Sequence, residues 1–123
     1  MTRFLIFIKN NWIAFTAVAL AVITWLSFWP LDTLPQTPGS DKLHHLIAYA
    51  FLTLPAALRK PRRWMAVCLF FIAYSGIIEL LQPFVNRYRE WADMLANTSG
   101  VVCGVIIAFG LNFLFSTGKV HTR

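Results

Sequence analysis

WMAVCLFFIAYSGIIELLQ, residues 64–82, decides the fold class, because nineteen consecutive residues carry one carboxylate, Glu79, and no basic side chain. Bilayer hydrocarbon is about 30 Å thick and takes roughly 20 helical residues to cross. Three further segments approach the same length and apolarity, at about 12–29, 41–58 and 93–115. The segment at 41–58 holds Pro55 and is expected to bend or to tilt little. Breakers separate the segments: Pro30, Pro35, Pro38 and Gly39 in the first connection, Pro61 in the second and Pro83 at the start of the third. The expected fold is therefore all-α, a four-transmembrane-helix bundle formed by a single domain over residues 1–123. The first segment reads as a retained span and not as a secretory signal, since it is long for an h-region and Ser27, Phe28 and Trp29 offer no small-x-small cleavage site.

Composition supports a membrane class: 58% of the residues are hydrophobic and 13% charged, which is apolar for a water-soluble fold. The net charge of +6 would also suit a nucleic-acid binder, but the basic residues sit in short clusters between apolar runs, so no nucleic-acid partner is expected. Arg3, Lys9, Arg59, Lys60, Arg62, Arg63, Lys119 and Arg123 fall on one side of the four spans, and Lys42, Arg87 and Arg89 on the other. The positive-inside rule then places both termini in the cytoplasm. Trp12 and Trp64 at inner ends, and Trp29 and Trp91 at outer ends, suit an interfacial belt. Cys68 and Cys103 lie at different depths and read as packing residues, not as a disulfide.

The remaining ionisable residues gather at the outer ends of three spans. Asp41, His45 and Tyr49 open the second span at four-residue spacing, Ser75, Glu79 and Gln82 close the third, and Asp93 and Asn97 open the fourth. Since the second and fourth spans run inward and the third outward, these groups share one membrane layer. Ionisable groups in a bilayer cost a few kcal/mol each on insertion scales (~2.5–3.5 at the centre) unless they pair or meet water, so clustering is the expected solution. A purely structural cluster would have Asp41 and Asp93 at helix N-termini and Arg87 paired with Glu79 or Asp93. Beside the polar stripe, Ala96, Gly100, Gly104 and Ala108 form a ridge that lets helix backbones approach, either within the chain or across a homo-oligomer.

DKLHHLIAY at 41–49 resembles the D-K-x-x-H-x-x-x-Y pattern of VanZ-like membrane proteins, and Glu79, Gln82, Arg87, Asp93, Asn97, Gly100 and Gly104 follow in the same order and spacing. The likeness spans about 41–104, and departs in having Asn86 where a glycine often precedes the arginine. It implies a bacterial inner-membrane protein and a link to teicoplanin resistance, the phenotype for which the family is named, without implying a biochemical activity.

The residues themselves suggest an outer-leaflet site that binds or modifies the polar or phosphorylated headgroup of a lipid-linked envelope molecule. His45, Glu79 and Asp93 are the candidate catalytic residues, because imidazole changes charge between about pH 5 and 8 and a carboxylate can orient it. Lys42 and Arg87 would hold an anionic oxygen, and Asp41, Tyr49, Gln82 and Asn97 would complete the binding set. A metal reading would use His45, Glu79, Asp93 and Asp41; against it stand the lack of HExxH and of paired histidines, His44 pointing roughly 100° from His45. No cofactor and no metal are therefore expected. Two other classes fit the same cluster: a small proton- or ion-coupled transporter, and a non-catalytic binding or assembly protein. The apolar inner halves of the spans argue against transport.

Overall fold

The structure, a computed structural model, describes residues 2–28, 41–85 and 91–116. These form five helices: α1 (Thr2–Asn10), α2 (Trp12–Ser27), α3 (Asp41–Arg59), α4 (Trp64–Leu81) and α5 (Trp91–Ser116), with a 3-10 turn at Gln82–Val85 continuing α4. The four long helices start and end close to where apolar runs and breakers put them.

Helix α1 is absent from the expected fold. Its nine residues, TRFLIFIKN, look from sequence like a charged anchor, but they wind into a helix that meets α2 at a 73° bend. Asn11 makes the bend. Its backbone leaves the helical region (φ −116°, ψ 25°), while its side-chain amide donates to the Phe7 carbonyl at 2.9 Å and closes the end of α1. Leu5 is the buried residue of α1, packed with Ala57, Leu58 and Ala108, so the short helix lies against the far end of α3 and α5.

Helix α3 is the hub, touching α1, α2, α4 and α5, and packing most extensively against α5. Tyr49, Leu52, Thr53, Ala56, Ala57 and Leu58 are almost wholly covered. Pro55 lies within α3 and does not interrupt it. The helix stops at Lys60, which takes a left-handed backbone (φ 52°) ahead of Pro61. Asn112 of α5 donates to the otherwise open Leu58 carbonyl at 3.1 Å, and the Lys60 ammonium lies over the Phe109 ring at 4.9 Å.

The α3–α5 contact depends on two glycines. A methyl added at Gly100 would overlap the Leu46 carbonyl oxygen and stand 3.0 Å from Tyr49 Cβ; at Gly104 it would stand 2.8 Å from the Ala50 carbonyl oxygen. The small-residue ridge is thus filled by α3 of the same chain. Of the two expected uses of the ridge, packing within the chain is the one observed, and a homo-oligomer through the Gly100 and Gly104 face would have to displace α3.

The stretches Trp64–Phe84 and Ala92–Phe115 are long and apolar enough to cross a membrane, and α1 with α2 makes a third if the bent pair is one span. Helix α3 does not meet this measure, so length and composition support two or three spans where four were expected. The reason is local: Asp41, Lys42, His44 and His45 occupy its first two turns and Arg59 its last. A helix enclosed by others has no need of a continuous apolar surface. Leu69, Phe70, Ile77, Ile106, Phe113 and Leu114 of α4 and α5 are exposed, as lipid-facing side chains would be.

Gly100→Ala is expected to lower the thermal unfolding midpoint in detergent, at an overpacking cost of roughly 1–3 kcal/mol. Gly110→Ala, where a methyl meets nothing within 4 Å, should leave the midpoint unchanged or raise it, since alanine favours a helix interior over glycine. Equal midpoints for the two variants would remove the close contact as a determinant of the fold.

Candidate functional site

Three helices bring polar side chains together at the end of the bundle where α3 and α5 begin and α4 finishes. His45 on α3, Glu79 on α4 and Asp93 on α5 each offer one ligand atom within 4.8 Å of the others. Glu79 is 5% exposed and Asp93 8%. His45 Nδ1 lies 2.8 Å from Asn97 Oδ1, and because that oxygen only accepts, Nδ1 donates. His45 Nε2 faces Asp93 Oδ2 at 3.9 Å, beyond hydrogen-bond reach. Lys42 Nζ stands 3.6 Å from Asp93 Oδ1, with its side chain 45% exposed. Among the described residues of the site, the ammonium-bearing side chain of Lys42 is the most exposed.

The helical repeat explains why these residues meet. Lys42 and His45 are three apart on α3, Glu79 and Gln82 three apart across the end of α4 and the 3-10 turn that continues it, and Asp93 and Asn97 four apart on α5, so each pair shares a face. Gln82, 2% exposed, donates from Nε2 to the Ser27 carbonyl of α2 at 3.2 Å. Helix α2 therefore closes the fourth side through a backbone oxygen, a contribution with no signature in sequence. Thr24 of α2 and Tyr74 of α4 join their hydroxyls by a hydrogen bond at the next level down.

Other candidates occupy different positions. Tyr49 lies one turn deeper than His45 and packs in the apolar core with Ile23, Leu52, Phe71 and Val101. Ser75 is buried and donates to the Ile72 carbonyl at 2.6 Å, with Met94 Sδ 3.6 Å away. Both cysteines are free and sit away from this cluster in α4 and α5. Asp41 begins α3, but its side chain lies outside the described residues, as do Arg87, Arg89 and Glu90, including the expected pairing of Arg87 with Glu79 or Asp93. Among the described residues, the cation beside Asp93 is Lys42.

Chemically, the cluster holds two buried carboxylates, an oriented imidazole and a partly exposed ammonium. Such groups persist out of water only where they compensate one another or bind something that does. The imidazole's fixed hydrogen bond presents Nε2 to the carboxylates, which is the arrangement of a proton acceptor or of a ligand donor.

No curated protein and no solved structure matches the chain. A family model does, over residues 3–115, so that the bend of α1, the hub helix and all three site helices lie inside the match, and the chain belongs to the VanZ/LLP1 family.

Proposed function

We propose that this VanZ/LLP1 protein is an integral membrane protein whose polar end binds the polar or phosphorylated headgroup of a lipid-linked envelope molecule, with His45 as its acid or base. The observation that carries this reading is the convergence, from three different helices of an otherwise apolar bundle, of the half-buried His45 with the buried Glu79 and Asp93. Polar groups this costly to bury suit a site better than a scaffold. The immediate surroundings favour an amphipathic ligand. Leu43, Ile47, Leu80, Leu81 and Leu95 near the same end are exposed and apolar, while Lys42 supplies a reachable cation for an anionic oxygen. Arg87, Asp41, Gln82 and Asn97 complete the proposed binding set, and a link to teicoplanin resistance would follow if the headgroup belongs to a cell-wall precursor.

The ion-transport alternative finds little support below the site. The core there is Leu52, Ala56, Phe71, Leu58 and Ala108, and the Thr53 hydroxyl is spent on the Tyr49 carbonyl at 2.8 Å. A relay needs polar steps through this layer.

In this reading α3 crosses the bilayer as a fourth span, shielded by its neighbours, and the positive clusters at 59–63 and at both termini face the cytoplasm of a bacterial inner membrane. Reporter fusions check the topology: alkaline phosphatase inserted at the 59–63 loop should be inactive and a fluorescent protein there bright. The opposite pair of signals would invert the orientation and put the polar end on the cytoplasmic side.

For the ligand, purified protein in detergent should bind a short polyprenyl phosphate in preference to the matching polyprenol. Lys42→Ala and Arg87→Ala should each weaken phosphate binding about tenfold, the loss of one charge-assisted contact. Equal affinity for phosphate and alcohol would sink the headgroup reading. His45→Ala should leave protein level and insertion intact while abolishing any resistance or envelope phenotype, measured as growth against teicoplanin.

A further inference from the structure

We infer that His45, Glu79 and Asp93 form a binding site for a divalent first-row transition cation. The inference goes beyond the headgroup reading and does not rest on it: with an ion bound, His45 Nε2 is a ligand and not the acid or base of that reading.

The orientation of His45 is the first argument. Its Nδ1 donates to Asn97 Oδ1 at 2.8 Å, so whenever the ring is neutral its lone pair is on Nε2, directed at the acidic side of the cluster. What it faces there is another acceptor, Asp93 Oδ2, at 3.9 Å. Two acceptors turned toward each other across a gap repel unless something positive lies between them. The gap is too wide for a shared proton to bond both atoms well. It suits a metal: a cation bonded to both at roughly 120° would lie about 2.2 Å from each, near the usual range for nitrogen and carboxylate ligands. A ligating histidine whose other nitrogen is held by a polar neighbour is the usual outer-shell arrangement, and Asn97 is that neighbour.

The carboxylates are the second argument. Asp93 Oδ1 is buried without a hydrogen bond among the described residues, its nearest cation being Lys42 at 3.6 Å. Lys42 is 45% exposed, so solvent weakens its hold. Glu79 brings a second carboxylate from the final turn of α4, where the helix dipole disfavours an anion. Asp93 sits in the first turn of α5, where the dipole favours it. Helix placement thus explains Asp93 but not Glu79, and two carboxylates this close repel each other. A divalent charge at their common focus, with a ligand atom from each of the three residues within 4.8 Å of the others, compensates both.

The donor set selects the class of ion. One imidazole nitrogen with two carboxylate oxygens suits Mn2+ or a neighbouring first-row ion, whereas Mg2+ and Ca2+ prefer all-oxygen surroundings. Three protein ligands leave a position open to water or to an oxyanion.

The test uses the full chain, purified in detergent, stripped with a chelator and titrated with Mn2+. Wild type should bind about one equivalent, saturably and more tightly than Mg2+ or Ca2+. With 15N-labelled histidine, electron spin-echo modulation of the bound Mn2+ should show a directly ligated nitrogen, a readout that needs no variant. Asp93→Asn and His45→Ala should each lose the saturable binding, and Asn97→Ala should weaken it by about 10–100-fold. Circular dichroism of the metal-free variants checks that each is folded, and any that is not leaves the wild-type spin-echo result to decide. Absence of saturable Mn2+ binding by wild type, a spectrum without histidine nitrogen, or full binding by folded Asp93→Asn would each overturn the site. Phosphate-against-alcohol discrimination is measured separately on chelated protein, so either reading can fail without the other.

Discussion

The site depends on how closely α3 and α5 approach. Within a bilayer the hydrophobic effect does not press helices together, since lipid tails are as apolar as leucine, and packing has to do it. Here Gly100 admits the Leu46 carbonyl and Gly104 the Ala50 carbonyl, so the two backbones come near contact over a full turn. His45 immediately precedes Leu46, and Asn97 lies one turn before Gly100. The separation set by glycine therefore fixes the 2.8 Å between the imidazole and the Asn97 amide oxygen. Thr53 and Ala108, both fully buried, continue the same seam toward the other end of the bundle.

Much of this was legible in the sequence because it rests on short-range repeats. Spacings of three and four placed Glu79 with Gln82 and Asp93 with Asn97 on common faces, and alternating chain direction brought those faces to one level. Helix ends were marked by prolines and charge. What failed was anything requiring knowledge of neighbours. The bend at Asn11 arises from a side-chain bond to Phe7, and nine residues with Arg3 and Lys9 at either end do not announce a helix. Helix α3 looked like a weak span because an enclosed helix and a lipid-facing one have different composition. The glycine ridge could not name its occupant. Ser27 entered the site through a carbonyl oxygen, which every residue has.

The division of polarity along the bundle follows from helix direction. Two helices, α3 and α5, start at the polar end and two, α2 and α4, finish there, so two positive and two negative dipole ends meet. Carboxylates at the two starts are inexpensive, and Asp93 occupies such a position in α5. Glu79, at the finish of α4, is the residue this electrostatic pattern does not favour, and it is among the most deeply buried of the ionisable groups. At the other end the arrangement reverses. The last turn of α3 carries Arg59, followed by Lys60 over Phe109, and Asn112 covers the Leu58 carbonyl. Those groups satisfy the end of a helix, and Arg59, Lys60, Arg62 and Arg63 give it a positive charge that suits a helix C-terminus. One end of the bundle thus gathers basic side chains, while the other gathers the carboxylates of Glu79 and Asp93. A positive ligand is the complement that this division of charge favours.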